Sequence, residues 1–208
     1  MGSKIYFDQV AGNWDTMRQG FFATAVRERA YQVAGIVPGL IAADLGAGTG
    51  FITEGLVAKG LKVIAVDQSA AMLDTMKAKF GVAGAVDYRV GSAAALPIAE
   101  GSVDYAFANM YLHHVESPAQ AIREMVRILK PGGKLIITDL DEHKFTFLQT
   151  EQHDHWLGFN RDDIKGWFVG AGLREVMVDC VGQNCCATSE GNCDQQANIS
   201  IFVAAGRK

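Results

Sequence analysis

The segment AADLGAGTG constrains this chain more than any other. The apolar run Leu40 to Ala43 closes on Asp44, and Gly46, Gly48 and Gly50 follow at alternate positions. An acid and three alternate glycines let a strand turn into a helix while the backbone lies against a ligand, and a helix start favours a small anionic or zwitterionic group. The spacing narrows that ligand. A dinucleotide fingerprint puts its third glycine three places after the second, whereas Gly50 follows Gly48 by two and Phe51 stands where that glycine would be. Downstream, KVIAVDQS ends a second apolar run on Asp67, roughly 20 residues on, where a carboxylate can accept both hydroxyls of a ribose. These positions predict a nucleoside held without a pyrophosphate.

The rest of the chain alternates strands and helices. A helical stripe runs through Met17, Phe21, Phe22, Ala25, Val26 and Ala30; strands are expected near 41–45, 62–66, 86–90, 103–108 and 134–139, with helices between them. Ser117-Pro118-Ala119-Gln120 reads as a capping box with proline in the first turn, and Pro131-Gly132-Gly133 as the end of that helix. A helix from about Asn160 to Val169 and strands near 173–181 and 198–205 complete the pattern. Such alternation implies an α/β fold with a parallel sheet.

At 208 residues and 49% hydrophobic content the chain can bury a full core, and no linker-like stretch divides it, so one domain over 1–208 is expected. A net charge of −4 with no basic run argues against a nucleic-acid partner and leaves small-molecule or protein substrates. No apolar stretch has membrane length, no secretory leader is evident, and MGSKIY lacks the Ser or Thr of a myristoylation signal. A cytoplasmic location with reduced cysteines is the expectation, and a homodimer is left open.

Several ordered motifs resemble the class I S-adenosylmethionine (SAM)-dependent methyltransferases. VGSAAALP is similar to the family's third cofactor segment and DYAFANMYLHHV to its fourth; REMVRILKPGGKLIITD matches the branch that contains quinone-biosynthesis enzymes. YFDQVAGNWD resembles that branch's N-terminal cofactor cover, which implies a lid over about residues 1–35 with Phe7 and Trp14 against the cofactor. The resemblance implies a Rossmann-like, doubly wound sheet of seven strands in the order 3-2-1-4-5-7-6, the last antiparallel. It also implies SAM as cofactor and S-adenosylhomocysteine as product. The backbone of Gly46, Ala47, Gly48 and Gly50 would face the methionine carboxylate, and Asp44 its ammonium. Asp67 would take the ribose, Gln68 and Met72 would flank adenine, and the Ala93 N–H would reach its ring. Ser92 stands where the family carries an acid for the adenine amino group. Asn109 and Leu112 would line the methionine side.

The same topology gathers chemistry on one rim, because ligands bind beyond the carboxyl ends of the parallel strands. His113 and His114 follow the fourth strand; His143, His153 and His155 follow the fifth; Cys185, Cys186 and Cys193 fall in the loop after the sixth, with Cys180 at that strand's end. A neutral imidazole at His113 or His114 suits a catalytic base near pH 7, with packing or hydrogen bonding as the other reading. A His/Cys rim also raises methylation or binding of a soft metal or metalloid, although no CxxC pair is present and ordinary loop cysteines are the plainer reading. The segment from Trp156 to Leu173 followed by a cysteine-bearing hairpin resembles modules found with metal-responsive repressors, whereas the N-terminal cysteines of arsenite methyltransferases are absent. Methyl transfer to a small molecule is therefore the leading expectation, beside a non-catalytic SAM-binding regulatory module.

Overall fold

The computed structural model describes residues 3–81, 84–189, 191 and 195–208. Seven strands form one sheet in the order β3-β2-β1-β4-β5-β7-β6, where β1 is Ile41–Leu45, β2 Lys62–Asp67, β3 Val86–Val90, β4 Val103–Asn109, β5 Leu129–Leu140, β6 Arg174–Thr188 and β7 Gln196–Arg207. The first five pair in parallel, and β7 runs antiparallel between β5 and β6. The expected order and the reversed last strand are both present.

The sheet is covered on both faces, which is why its middle strands are continuous apolar runs. Along β4, Tyr105 and Phe107 point into one layer with Tyr31, Ile52 and Leu56. Ala106 and Ala108 point into the other with Ile122, Met125 and Phe168. Leu135 and Ile137 of β5 side with the second layer and Ile136 with the first, as the two-residue period of a strand requires. The helices α3 (Ala25–Ala34) and α4 (Phe51–Ala58) therefore cover one face, and α6 (Pro118–Ile128) and α8 (Arg161–Gly170) the other. Each fully buried leucine, isoleucine or phenylalanine contributes about 1.5–3 kcal/mol of transfer free energy.

Five local expectations need correction. The stripe from Met17 to Ala30 is two helices: α2 (Trp14–Phe21) ends where Phe22 turns extended, at φ −153° and ψ 150°, and α3 begins at Ala25. Phe22 breaks the helix because its ring packs inward against Phe51, with centroids 5.4 Å apart. Helix α6 starts at Pro118 as expected, but the Ser117 side chain makes no capping bond. It ends at Ile128 rather than at Pro131, since Leu129 is already extended and pairs with Val103. Pro131 to Gly133 instead form an excursion of β5, closed by Gly132 N–H to the Lys208 carbonyl at 2.8 Å and Lys208 N–H to Gly133 at 2.9 Å.

No helix lies between β3 and β4. Residues 91–102 are held by α6 instead: Glu124 accepts from Leu96 N–H at 2.9 Å, and Arg127 donates to the Ile98 carbonyl at 2.9 Å. At the far edge β6 and β7 run longer than expected, so Cys185 and Cys186 sit in a strand rather than a loop. Neighbours in a strand face opposite ways: Cys185 is buried in a cluster with Leu140 and Leu148, while Cys186 and Cys180 are exposed. The three do not share a site, and Cys193 lies outside the described residues. No described helix is long and apolar enough to cross a membrane.

Candidate active site

Two cavities meet at the carboxyl edge of the sheet under α1 (Ser3–Val10) and α2. The first, about 650 Å³ including the part open to solvent, is walled by the glycine turn after β1, the end of β2, the end of β4 and the two N-terminal helices. Phe7, Trp14, Asp44, Gly46, Ala47, Gly48, Asp67, Gln68, Met72 and Asn109, all expected from sequence, line it. The second, of about 470 Å³, is mostly aromatic and aliphatic, with His113, His114, Asp154 and Gln152 as its polar side. Phe7, Trp14, Phe22, Met110 and His114 line both, so the cavities abut across those five side chains.

The turn is built by its own acids. Asp44, fully buried, accepts from Thr53 N–H at 2.9 Å and Thr53 Oγ1 at 2.7 Å, which ties the end of β1 to the first turn of α4. Burial pushes its carboxyl up to about 7, more than the Thr53 bonds pull it down, and the charge of Asp67 adds to the rise. Asp67 accepts from Gly48 N–H and from Ser69 N–H, each at 2.8 Å; burial raises its pKa against those bonds. Gly46 must be glycine twice over: its φ is +67°, and a Cβ there would stand 2.2 Å from the Tyr111 ring.

Several expected positions are placed differently. The N–H groups of Gly46 and Ala47 both bond the Val66 carbonyl, Gly48 bonds Asp67 and Gly50 bonds Ala47, so these amides are engaged within the protein rather than aimed at a ligand. Gly50 does not line the cavity; its absent Cβ makes room for Phe80 and Met76. Leu112 is in the core, fully buried with Ile122 and Met125, and contributes only its N–H, bonded to Asp139 at 2.8 Å. Ser92 and Ala93 line a neighbouring groove with Gln68, separated from the first cavity by Tyr111, which borders both. Asn109 lines the first cavity while its Oδ1 accepts from Thr138 Oγ1 at 2.7 Å, so it is also a strand-end tie. Of the expected lid, α1 and α2 cover the cavities, whereas α3 belongs to the core.

Sequence reading missed Arg18, Met110, Tyr111, Asp139 and Asp154. Arg18 lines the first cavity with its guanidinium 4.2 Å from the Phe51 ring centroid, and its Nε is buried without a hydrogen-bond partner. A lone arginine within the aromatic stripe Trp14, Phe21, Phe22 was the available signal. Met110 adopts φ +49°, a conformation unusual for a side chain of that size and found where a site imposes it. Asp139, with no exposure, accepts from His113 Nδ1 at 2.6 Å and from the N–H groups of Leu112 and Leu140, both at 2.8 Å.

The histidines are electrostatically unlike. Burial depresses His113, but the Asp139 and Asp154 carboxylates outweigh it and hold the imidazole up at about 9. Burial and the charge of His113 drive His114 well below its usual value, so it is neutral at pH 7. Asp154 is raised to about 6, by burial before anything else. His143 is lowered to about 4 by burial and then by His113. His155 lines the groove beside Ser92, and His153 packs its ring on Tyr6 at 5.1 Å.

The methyltransferase domain family model matches residues 43–137, the stretch that carries the turn, Asp67 and the segment ending in His113 and His114. The demethylmenaquinone methyltransferase of Renibacterium salmoninarum is 34% identical over 142 residues, covering 67% of this chain and 59% of that protein. This chain carries a class I SAM-dependent methyltransferase domain. The domain spans no more than about three-fifths of the first curated relatives it matches. Among solved structures, a chain from the complex of the Haloferax volcanii Trm112 methyltransferase activator superposes with a TM-score of 0.79 at 20% identity, covering 97% of this chain and 96% of that one. Phosphoethanolamine N-methyltransferase 2 of Haemonchus contortus, solved with phosphomonomethylethanolamine and S-adenosylhomocysteine, gives 0.73 at 18% identity, covering 88% of this chain and 52% of that one. At those identities the likeness concerns the fold of the methyltransferase domain alone.

Proposed function

We propose that the protein transfers a methyl group from SAM to a small molecule seated in the aromatic cavity, by in-line displacement. The supporting observation is the abutment of two cavities of unlike chemistry, one walled by two acids and a glycine turn, the other by aromatic rings and a His/Asp side. Asp67 takes the ribose hydroxyls, Gln68 and Met72 flank the adenine with Ser92 and Ala93 beyond Tyr111, and Asp44 pairs with the ammonium. The buried, unpartnered Nε of Arg18 suits the methionine carboxylate, replacing the turn amides that the protein itself engages. When bound, SAM supplies a methyl group on a positively charged sulfur that is already a good leaving group. The protein's own part is alignment and exclusion of water, which Phe7 and Trp14 perform from α1 and α2 as a lid. The activating role for the acceptor's nucleophilic atom falls to His114, which borders both cavities, with the protonated His113 beside it.

Titration calorimetry with SAM, followed by labelled-methyl transfer to panels of phenols, thiols, amines and quinone precursors, tests this reading. Binding followed by transfer supports it; binding with no transfer to any class points to a regulatory module. Replacing His114 by alanine is expected to lower turnover by about 100-fold or more, the usual worth of an activating group, while SAM affinity changes by less than about threefold. Equal losses in both would assign His114 to cofactor binding instead.

Asp44 makes SAM binding depend on pH. In the free protein its carboxyl sits at about 7, and an ammonium partner lowers it, so the pairing is fully present above pH 7 and is lost as pH falls. Affinity should drop by about tenfold at pH 6 relative to pH 8, with proton release seen as a dependence of the binding heat on the buffer. Asp44→Asn should flatten the profile. An affinity constant from pH 8 to 6 in the unaltered protein contradicts the pairing.

A further inference from the structure

Two imidazole nitrogens and one carboxylate oxygen converge in the wall of the aromatic cavity. His113 Nδ1 is committed to Asp139 at 2.6 Å, so Nε2 is the ring atom that can bind a metal ion, which would displace the proton that nitrogen carries in the imidazolium. Nε2 lies 3.8 Å from Asp154 Oδ1. His114 Nδ1 lies 3.6 Å from the same oxygen, while its other nitrogen is turned to the His153 backbone. Both His114 Nδ1 and Asp154 Oδ1 are buried without a partner, their side chains only 9% and 3% exposed. The three ligand atoms lie within 4.8 Å of one another. The His113 imidazolium offsets the Asp154 charge, but only a metal ion between them would also give His114 Nδ1 a partner.

The chain holds this arrangement firmly. His155 and Trp156 N–H groups bond the His113 carbonyl at 3.0 and 3.1 Å, and the Trp156 indole donates to Val115 at 2.9 Å, so the loop carrying Asp154 is fastened to the turn carrying both histidines. Asp139 is itself saturated by backbone N–H groups, the arrangement that fixes the tautomer and direction of a metal-binding imidazole.

We propose that His113 Nε2, His114 Nδ1 and Asp154 Oδ1 hold one divalent cation of the zinc type, with Asp139 as the positioning residue behind His113. Two imidazoles and one carboxylate are a donor set for such ions, and ligand bonds of about 2.0–2.2 Å need only a small contraction of the present spacing. Three protein ligands leave a coordination position open, and it faces the aromatic cavity. Resting on the methyl-transfer reading above, the open position assigns the acceptor a class: a thiol or hydroxyl compound that binds the ion as its anion and releases its proton to solvent.

The test is calorimetric titration of the chelator-stripped full chain with Zn²⁺, and with Co²⁺ followed by its visible absorption. One tight site per chain and a four-coordinate Co²⁺ spectrum are expected. Asp154→Asn and His114→Gln should each weaken Zn²⁺ at least about tenfold, and Asp139→Asn by about 10–100-fold, while Cys186→Ser, an exposed thiol on the other side of its strand, changes nothing. Circular dichroism checks that each variant is folded. No stoichiometric Zn²⁺ or Co²⁺ uptake by the unaltered chain, or uptake unchanged in both ligand variants, overturns the proposal. SAM titration of the same stripped sample keeps the two readings apart: SAM binding without Zn²⁺ uptake sinks only the metal site, and Zn²⁺ uptake without SAM binding sinks only the methyl-transfer reading.

Discussion

Replacing Asp67 by asparagine is expected to weaken SAM binding by about 100-fold. Both carboxylate oxygens already hold the turn, one on Gly48 N–H and one on Ser69 N–H, each at 2.8 Å, and the group still borders the first cavity. A ribose diol donating to a carboxylate makes charged hydrogen bonds worth about 1.5–3 kcal/mol each. Asparagine keeps the shape but turns one acceptor into a donor, so one backbone N–H faces an NH₂ and one ribose hydroxyl loses its acceptor. A loss of about 2.7 kcal/mol corresponds to that 100-fold. Thermal unfolding should fall by only a few degrees, since the variant loses one backbone hydrogen bond. Calorimetry reads the affinity directly, and a change below threefold means the ribose is held elsewhere.

Gly158→Ala is expected to cost about 4 kcal/mol of stability, more than a typical single substitution. Gly158 has φ +70°, where a side chain costs about 1–3 kcal/mol, and an added Cβ would stand 2.1 Å from the Asp141 carbonyl oxygen. Backbone cannot yield there as a side chain can. Phe159 N–H bonds Leu140 at 2.9 Å, and Glu142 N–H bonds Phe159 at 3.0 Å, so moving Asp141 breaks the short bridge that closes the loop behind β5. Gly132→Ala is the control: its φ is +81°, yet nothing lies within 4 Å of the added carbon, and about 1 kcal/mol is expected. Denaturant unfolding of both, compared at constant slope, checks the contrast. Equal midpoints for the two variants would refute the tight bridge. Because that loop carries Asp154, Gly158→Ala should also weaken the polar side of the aromatic cavity.

The turn after β1 and the acid at the end of β2, which wall the first cavity, were legible because their signals are local. A glycine at φ +67° and an acid at the end of a strand are demanded by a turn of a few residues, and the turn carries them wherever the fold puts it. Leu112 could be read either as lining the methionine side or as core, because direction at a strand end is not local: residues 112–114 make a short 3-10 turn, which sends Leu112 into the core and His113 and His114 toward the cavities. Cys185 and Cys186 were read as one cluster because β6 was taken to stop early; pairing with β7 extends it, and the two-residue period then splits them between faces.

Strand and helix alternation was enough for an α/β fold with a parallel sheet, and the strand order with its reversed last strand followed from the resemblance to the methyltransferase family. The alternation follows from backbone periodicity and from which residues tolerate a turn. Which acid meets which imidazole was decided only by tertiary packing, because Asp139 lies at the end of β5 and Asp154 in the loop beyond it. Neither is near His113 in the chain, and only closure of the parallel sheet and the Trp156 anchor bring them within 4 Å of its ring. Periodicity carries no information on such distances, so the polar wall of the aromatic cavity appears only when the chain is folded.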